Sequence, residues 1–284
     1  MSQTPLVIDN PTEMRAYAAS VRSQGQRIGF VPTMGALHQG HLSLLDYARD
    51  HGGRLVVSIF VNPLQFNQKE DLDQYPRTLA RDQELCAAHG AQAIYAPTAQ
   101  AMYPLGFQTT VSLAHITQGL CGAYRPGHFD GVTTVVLKLF NAVQPDLAVF
   151  GEKDFQQLQV IKRLTLDLDL GVEVVGRPTV READGLAMSS RNARLSAQER
   201  QDALCLWRAL NRARDLAQAG QQDAETVKQA ARAEIAATPA ARLEYLEIVD
   251  STTLEPLRRL ERPARLALAV WVGGTRLIDN MALN

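Results

Sequence analysis

The chain has 284 residues, 46% of them apolar and 21% charged, an ordinary balance for a globular protein, and at roughly 150 residues per domain it predicts about two domains. Lys and Arg number 29 against 30 Asp and Glu, and the resulting net charge of −1 argues against a sequence-independent nucleic-acid binder. No apolar run approaches the ~18 residues needed to span a bilayer.

Residues 1–10 carry neither a basic n-region nor an apolar h-region, so no secretory leader is expected. Residues 27–31 read as a strand, followed by a loop punctuated by Pro and Gly and a helix over about 40–50. The stretch 55–61 is a continuous apolar strand of the kind buried on both faces. Another strand covers 93–96, ending at Pro97. Residues 132–143 have helical length but β-branched content, leaving their type open. A short strand at 147–150 runs into Gly151, a helix covers 155–169, and 172–175 is a further strand. This alternation implies right-handed crossovers and a parallel, doubly wound sheet, on which ligands bind at the carboxyl ends of the strands.

After residue 179 the texture changes. Ser196-Ala197-Gln198-Glu199 is a capping box opening a helix over 196–220. A second helix covers 223–238, then strands are expected at 243–249, 266–272 and 275–280, the last two joined over Gly273-Gly274. The fold class is therefore α/β, a doubly wound parallel-sheet domain over 1–179 with a smaller α+β domain over 180–284.

The most informative stretch is Pro32-Thr33-Met34-Gly35-Ala36-Leu37-His38-Gln39-Gly40-His41, between the first strand and the first helix. Gly35 and Gly40 permit tight turns, and the helix start presents N–H groups and a positive dipole end, an anion site. His38 and His41, three apart, can face that anion together and stabilise charge building on a phosphate. The alternative is a Gly-containing turn with two surface histidines. Gly151-Glu152-Lys153-Asp154 follows a strand: Lys153 can reach a triphosphate while the carboxylates support it or hold Mg²⁺, or the segment is a solvated helix start. Asn62-Pro63-Leu64-Gln65-Phe66 offers Asn62 and Gln65 to a small polar substrate and Phe66 as an apolar wall, or is an Asn-Pro turn with an Asx-type hydrogen bond. Met188-Ser189-Ser190-Arg191-Asn192 is a phosphate clamp or a linker capping the next helix. Residues 125–131 form a substrate-covering loop or a turn held by Asp130 and Gly131. Tyr75-Pro76-Arg77 and Asp82 read as a helix start or as phosphate and metal contacts. His51, His89 and His115 are bystanders. Cys86, Cys121 and Cys205, widely spaced and odd in number, read as packing residues of a reduced, cytoplasmic protein.

Taken in order, the stretches 32–41, 60–66, 75–77, 125–132, 151–157 and 177–192 resemble the pantoate–β-alanine ligase (pantothenate synthetase) family, of the nucleotidylyltransferase and class I aminoacyl-tRNA synthetase-like superfamily. The resemblance spans about 27–192 and rests beyond that on architecture and scattered residues. The glycine-flanked His-x-x-His is shared across the superfamily. The Asn-Pro-x-Gln-Phe, Gly-Glu-Lys-Asp and Met-Ser-Ser-Arg-Asn combination is far more specific.

The resemblance implies a Rossmann-like ATP- and pantoate-binding domain, with the smaller domain closing over the active site. It implies a two-step reaction in the pathway to coenzyme A: the pantoate carboxylate attacks the α-phosphate of MgATP, and the amine of β-alanine then attacks the enzyme-bound pantoyl adenylate to give pantothenate and AMP. By the same resemblance Met34, Gly35, Ala36, Leu37, His38, Gln39, Gly40 and His41 hold ATP, with both histidines as donors to the α-phosphate. Lys153 meets the phosphates and the adenylate; Gly151, Glu152 and Asp154 line the nucleotide; Val180 meets the adenine; Met188, Ser189, Ser190 and Arg191 close over the phosphates. Arg191 stands where the related synthetases carry lysine. Gln65, Gln157 and Asn62 are expected to grip pantoate or β-alanine, Asp82 is the metal candidate, and a cytoplasmic homodimer that binds neither nucleic acid nor membrane is implied. The rivals are an AMP-joining nucleotidyltransferase, a tRNA synthetase and a nucleotide-sensing module without catalysis.

Overall fold

In the computed structural model, which describes residues 4–67 and 69–283, the chain divides into two units. The first comprises Met1–Leu113, Arg125–Glu152 and Val160–Pro178; the second comprises Ala114–Tyr124, Lys153–Gln159 and Thr179–Asn284. The boundary near 179 is thus joined by two short exchanges upstream, at 114–124 and 153–159. Residues 1–3 of the segment read for a leader lie outside the described residues. Among the described residues no helix is long and apolar enough to cross a membrane.

In chain order the elements run β1 (Leu6–Ile8), α1 (Pro11–Ser23), β2 (Ile28–Thr33), α2 (Gln39–Gly52), β3 (Arg54–Ile59), α3 (Lys69–Asp73), α4 (Leu79–Ala88), β4 (Ala93–Tyr95), α5 (Ala99–Met102), α6 (Cys121–Tyr124), α7 (His128–Val143), β5 (Leu147–Gly151), α8 (Phe155–Asp167) and β6 (Glu173–Arg177). The six strands form one parallel sheet in the order β1-β4-β3-β2-β5-β6. Val31, Leu55, Val57, Ile94, Leu147 and Val149 of the sheet pack with Leu42, Leu45 and Ala48 of α2, all buried. Burial on both faces is why these strands read as unbroken apolar runs rather than alternating ones. The chain moves outward from β2 through β3 to β4, then returns to β5 on the other side of β2. Strand order therefore reverses between β2 and β5, where sheets of this type bind ligands beyond their carboxyl ends.

Several elements were not expected from the sequence, β1, α1, α3, α5 and α6 among them. The signals for α1 are Asn10, whose side chain accepts from the Glu13 N–H, and Pro11 in the first turn. The open segment at 132–143 is helical and starts earlier than expected. α7 begins at His128, after a left-handed Gly127 (φ 75°), so half of the expected covering loop at 125–131 is its first turn.

In the second unit α9 (Ala197–Gln218) and α10 (Ala224–Ala236) pack on an antiparallel sheet of β7 (Ala241–Asp250), β8 (Ala264–Val272) and β9 (Thr275–Ala282). Leu206, Leu210, Val227, Ala231, Leu268 and Val270 lie at the centre of this core. The capping box forms: the Glu199 N–H donates to Ser196 Oγ at 3.3 Å and the Ser196 N–H donates to Glu199 Oε2 at 2.8 Å.

Candidate active site

The loop that leaves β2 is held from below. Thr33 Oγ1 donates to the Ser58 carbonyl and accepts the Gly35 N–H at 3.1 Å. Gly35 has φ 83° and Ala36 φ 52°, a left-handed pair that turns successive amides to one side. The anion meeting those amides belongs to the protein itself. Asp82, only 1% exposed, accepts the Ala36 N–H on Oδ2 and the Leu37 N–H on Oδ1, each at 2.9 Å, and the Thr78 hydroxyl at 3.0 Å.

This corrects two expectations. Asp82 is not placed as a metal ligand, because both oxygens are spent on donors and the carboxylate is closed to solvent. Among the described residues no group of three or more His, Cys, Asp or Glu is placed to hold a metal ion. The residues present do not fit a protein-held Mg²⁺ at Asp82. The amides of Ala36, Leu37 and Gly40 are not open N–H groups for a phosphate either, since side chains already take them.

What the loop presents instead is imidazole. α2 opens with a histidine capping box: the Gly40 N–H donates to His38 Nδ1 at 3.2 Å, and the His38 N–H donates to His41 Nδ1 at 3.3 Å. The two rings lie 4.1 Å apart between centroids. A backbone N–H can only donate, so both Nδ1 atoms are acceptors and each neutral ring carries its proton on Nε2. Two N–H donors thus stand side by side at the start of a helix, whose dipole favours negative charge there.

Beyond β3, the 3₁₀ turn Pro63–Gln65 carries the expected polar pair. Gln65 is half-buried, with its carbonyl accepting Arg125 Nη2 at 2.9 Å and His128 Nδ1 at 2.8 Å, and its Nε2 lying 3.0 Å from Met34 Sδ. Asn62, 1% exposed, is a different case: its amide bonds the Gly131 carbonyl, Gln65 Oε1, the Leu64 N–H and the Tyr103 hydroxyl. All of its capacity is spent internally, so Asn62 is not available to a substrate as expected; the Asx-type turn is what forms. A Cβ on Gly131 would lie 2.4 Å from the Leu64 carbonyl oxygen, so glycine is required for α7 to approach this turn.

The remaining expected residues follow β5 or lie in the second unit. Gly151 ends β5 beside β2, and Glu152, Lys153 and Asp154 form a 3₁₀ turn. Lys153 is largely covered, 18% exposed at its side chain, with Nζ 3.7 Å from Asp154 Oδ2 and its carbonyl accepting Asn280 Nδ2 at 2.9 Å. Gln157 is half-buried, whereas its neighbour Gln156 is buried and satisfied, bonding the Cys121 N–H and the carbonyls of Ile116 and Gly119. Val180 and Met188 pair through their main chains at 2.9 Å, and Ser189 Oγ caps the 3₁₀ turn Ser190–Arg194 by accepting the Arg191 N–H. Asn192 bonds Glu182 and the Ala187 carbonyl, tying this stretch to the chain just before it. The cysteines are buried and unpaired with one another; burial and the Asp82 charge push the Cys86 thiol up to about 12, and burial pushes Cys205 up to about 11.

Sequence reasoning did not find Tyr103 as a support of Asn62, Arg125 or His128 as supports of Gln65, nor Asn280 behind Lys153. Their partners lie 41, 60, 63 and 127 positions away, and no local motif signals such pairs.

A family model described as Pantoate-beta-alanine ligase matches residues 6–282. The pantothenate synthetase of Trichlorobacter lovleyi is 54% identical over 277 residues, 98% of each chain, and that of Heliobacterium modesticaldum is 54% identical over 98% of this chain and 99% of its own. A crystal structure of pantothenate synthetase from Thermus thermophilus superposes with a TM-score of 0.92 at 45% identity, covering 98% of this chain and 99% of that one. The crystal structure of the pantoate–β-alanine ligase from Francisella tularensis, complexed with beta-gamma ATP and β-alanine, gives 0.81 at 34% identity over 98% of each chain. With the match running from the first strand to the last, and with the paired histidines and Gln65 at the carboxyl ends of β2 and β3, the chain belongs to the pantoate–β-alanine ligase family.

Proposed function

We propose that His38, His41 and Lys153 carry the adenylation step and that Gln65 and Gln157 hold pantoate. The reaction is the ATP-dependent condensation of pantoate with β-alanine, through a pantoyl adenylate, to pantothenate, AMP and diphosphate. Beta-gamma ATP and β-alanine are present in the Francisella tularensis complex, which supports ATP and β-alanine as substrates here.

In the first step the pantoate carboxylate attacks the α-phosphate and pyrophosphate leaves. Negative charge grows on the α-phosphate oxygens, and the Nε2–H groups of His38 and His41 donate to it. Neutral donors suffice, because the step needs stabilised charge and no proton transfer to phosphorus. The Lys153 ammonium offsets charge on the β- and γ-phosphates and then on the adenylate, with Ser189, Ser190 and Arg191 as further donors. Met34, Gly35, Ala36, Leu37, Gln39 and Gly40 shape the nucleotide loop; Gly151, Glu152, Asp154 and Val180 line the ribose and adenine, and Met188 closes over the phosphates with Ser189, Ser190 and Arg191. In the second step the β-alanine amine attacks the acyl carbon, releasing AMP. Mg²⁺ enters with ATP as part of the substrate, and no step is assigned to a protein-held ion. A cytoplasmic homodimer completes the proposal.

The observation that carries the residue assignment is the histidine capping box, which sets His38 and His41 side by side after β2, next to the strand-order switch of the sheet. The test is AMP formation from ATP and pantoate, with and without β-alanine. Sustained AMP release only with all three substrates is expected. Release of a dinucleotide-like product, or turnover indifferent to β-alanine, would overturn the proposal.

A further inference from the structure

Gln65 would be ambiguous in isolation, since a carboxamide offers an oxygen acceptor at one end and two N–H donors at the other. Its surroundings remove the ambiguity, starting from main-chain groups whose roles are fixed. The Leu64 N–H can only donate, and it points at Asn62 Oδ1 at 3.3 Å. The Gly131 carbonyl can only accept, and it meets Asn62 Nδ2 at 3.0 Å. These two contacts orient the Asn62 amide. Tyr103 reinforces that orientation by donating its hydroxyl to the same Oδ1 at 2.8 Å. Burial pushes the Tyr103 phenol well above its ordinary value, so it stays a neutral donor throughout the working range. The second hydrogen on Asn62 Nδ2 then reaches Gln65 Oε1 at 3.1 Å.

From this geometry we infer that Asn62, oriented by the Leu64 N–H and the Gly131 carbonyl and tightened by the Tyr103 hydroxyl, sets the Gln65 carboxamide with its oxygen inward and its amine outward, so that Gln65 selects a hydrogen-bond acceptor on the substrate. One N–H of Gln65 Nε2 lies against Met34 Sδ at 3.0 Å, a weak acceptor, and the other is left to a ligand. The Gln65 main chain has little freedom to compensate, because Arg125 and His128 both donate to its carbonyl. A carboxylate or hydroxyl oxygen matches the outward N–H. An ammonium group, which can only donate, does not, so this position accepts pantoate and refuses the amine of β-alanine. Tyr103 and Asn62 are positioning residues; Gln65 makes the contact. The inference rests on the proposal that Gln65 binds pantoate.

The test is pantoate-dependent exchange of label between pyrophosphate and ATP, read as separate KM values for pantoate and ATP. Tyr103→Phe keeps the ring, which packs beside Phe60 and Phe107 and under the Lys138 ammonium, and removes only the hydroxyl. Its pantoate KM should rise about 3- to 10-fold, the worth of one hydrogen bond, with the ATP KM unchanged. In a Gln65→Ala background the same change should add nothing to the pantoate KM, because the relay has lost its end. Gln65→Glu, which can still accept from Asn62 but turns an acceptor outward, should raise the pantoate KM roughly tenfold or more beyond Gln65→Ala. Equal shifts in both KM values, no shift for Tyr103→Phe, additivity in the double variant, or a Gln65→Glu enzyme as good as Gln65→Ala would each overturn the relay. Lack of exchange in the unaltered protein would instead overturn the functional proposal on which it rests.

Discussion

His38 and His41 each have two tasks, one per ring nitrogen. Nδ1 accepts a backbone N–H at the start of α2, and Nε2–H serves the phosphate in the proposed reaction. The tasks are separable by substitution. His38→Asn retains an oxygen acceptor for the Gly40 N–H, so it should melt within a few degrees of the unaltered protein yet lose most of its adenylation rate. His41→Ala and Lys153→Ala should each cut that rate by ~10²-fold or more. Activity assays paired with thermal melts distinguish the outcomes, and a His38→Asn enzyme that is fully active would remove that ring from the chemistry. Asp82 makes the opposite prediction to a metal ligand. Asp82→Ala strands the half-buried Ala36 N–H and the buried Leu37 N–H, the latter worth ~1–3 kcal/mol when unsatisfied. Its ATP KM should rise and its melting temperature fall, while the Mg²⁺ concentration giving half-maximal activity, measured at saturating ATP, stays unchanged. Part of this loop was legible in the sequence, because the turn at Gly35 and the three-residue histidine spacing are local, whereas the open N–H groups expected there are taken by side chains. The destination of Asp82 was not, since its amide partners lie 45 and 46 positions away and its own helix start reads equally well as a solvated one.

At the scale of elements, the short, largely exposed β1 gave no signal, but β2, β3, β4 and β5 were legible because burial on both faces leaves continuous apolar runs. The start of α7 was not: Gly127 and His128 look like loop residues until the turn at 63–65 is seen against the helix. Gly131→Ala tests that contact. A methyl group there meets the Leu64 carbonyl at 2.4 Å, and the turn carrying Asn62 and Gln65 must move. Pantoate KM should rise more than ATP KM, with a stability loss of ~1–3 kcal/mol in denaturant unfolding. In the second unit, β7, β8 and β9 are stitched by Glu244, which accepts from Trp271 Nε1 at 2.9 Å and pairs with Arg276. Burial works against the Glu244 charge, but the hydrogen bonds and the Arg276 cation outweigh it and hold the carboxyl below its ordinary range. A depressed folded value adds stability above the unfolded carboxyl value of about 4.3, lost as pH falls through the folded value. Glu244→Gln should therefore be less stable than the unaltered protein at neutral pH, with the gap narrowing below about pH 4. A gap that persists at pH 2 would mean the pair stabilises through packing rather than charge.

For the whole molecule, the two short upstream exchanges at 114–124 and 153–159 were not legible in the sequence. They depend on partners such as Gln156, whose buried amide binds the Cys121 N–H 35 positions away. The assigned chemistry requires that pantoate be activated on the α-phosphate before any amine takes part. Exchange of labelled pyrophosphate into ATP, with pantoate present and β-alanine omitted, measures that step alone. The unaltered protein should catalyse the exchange, and both His41→Ala and Lys153→Ala should lose it by ~10²-fold or more. Exchange that requires β-alanine, or that survives both substitutions intact, would contradict the assignment.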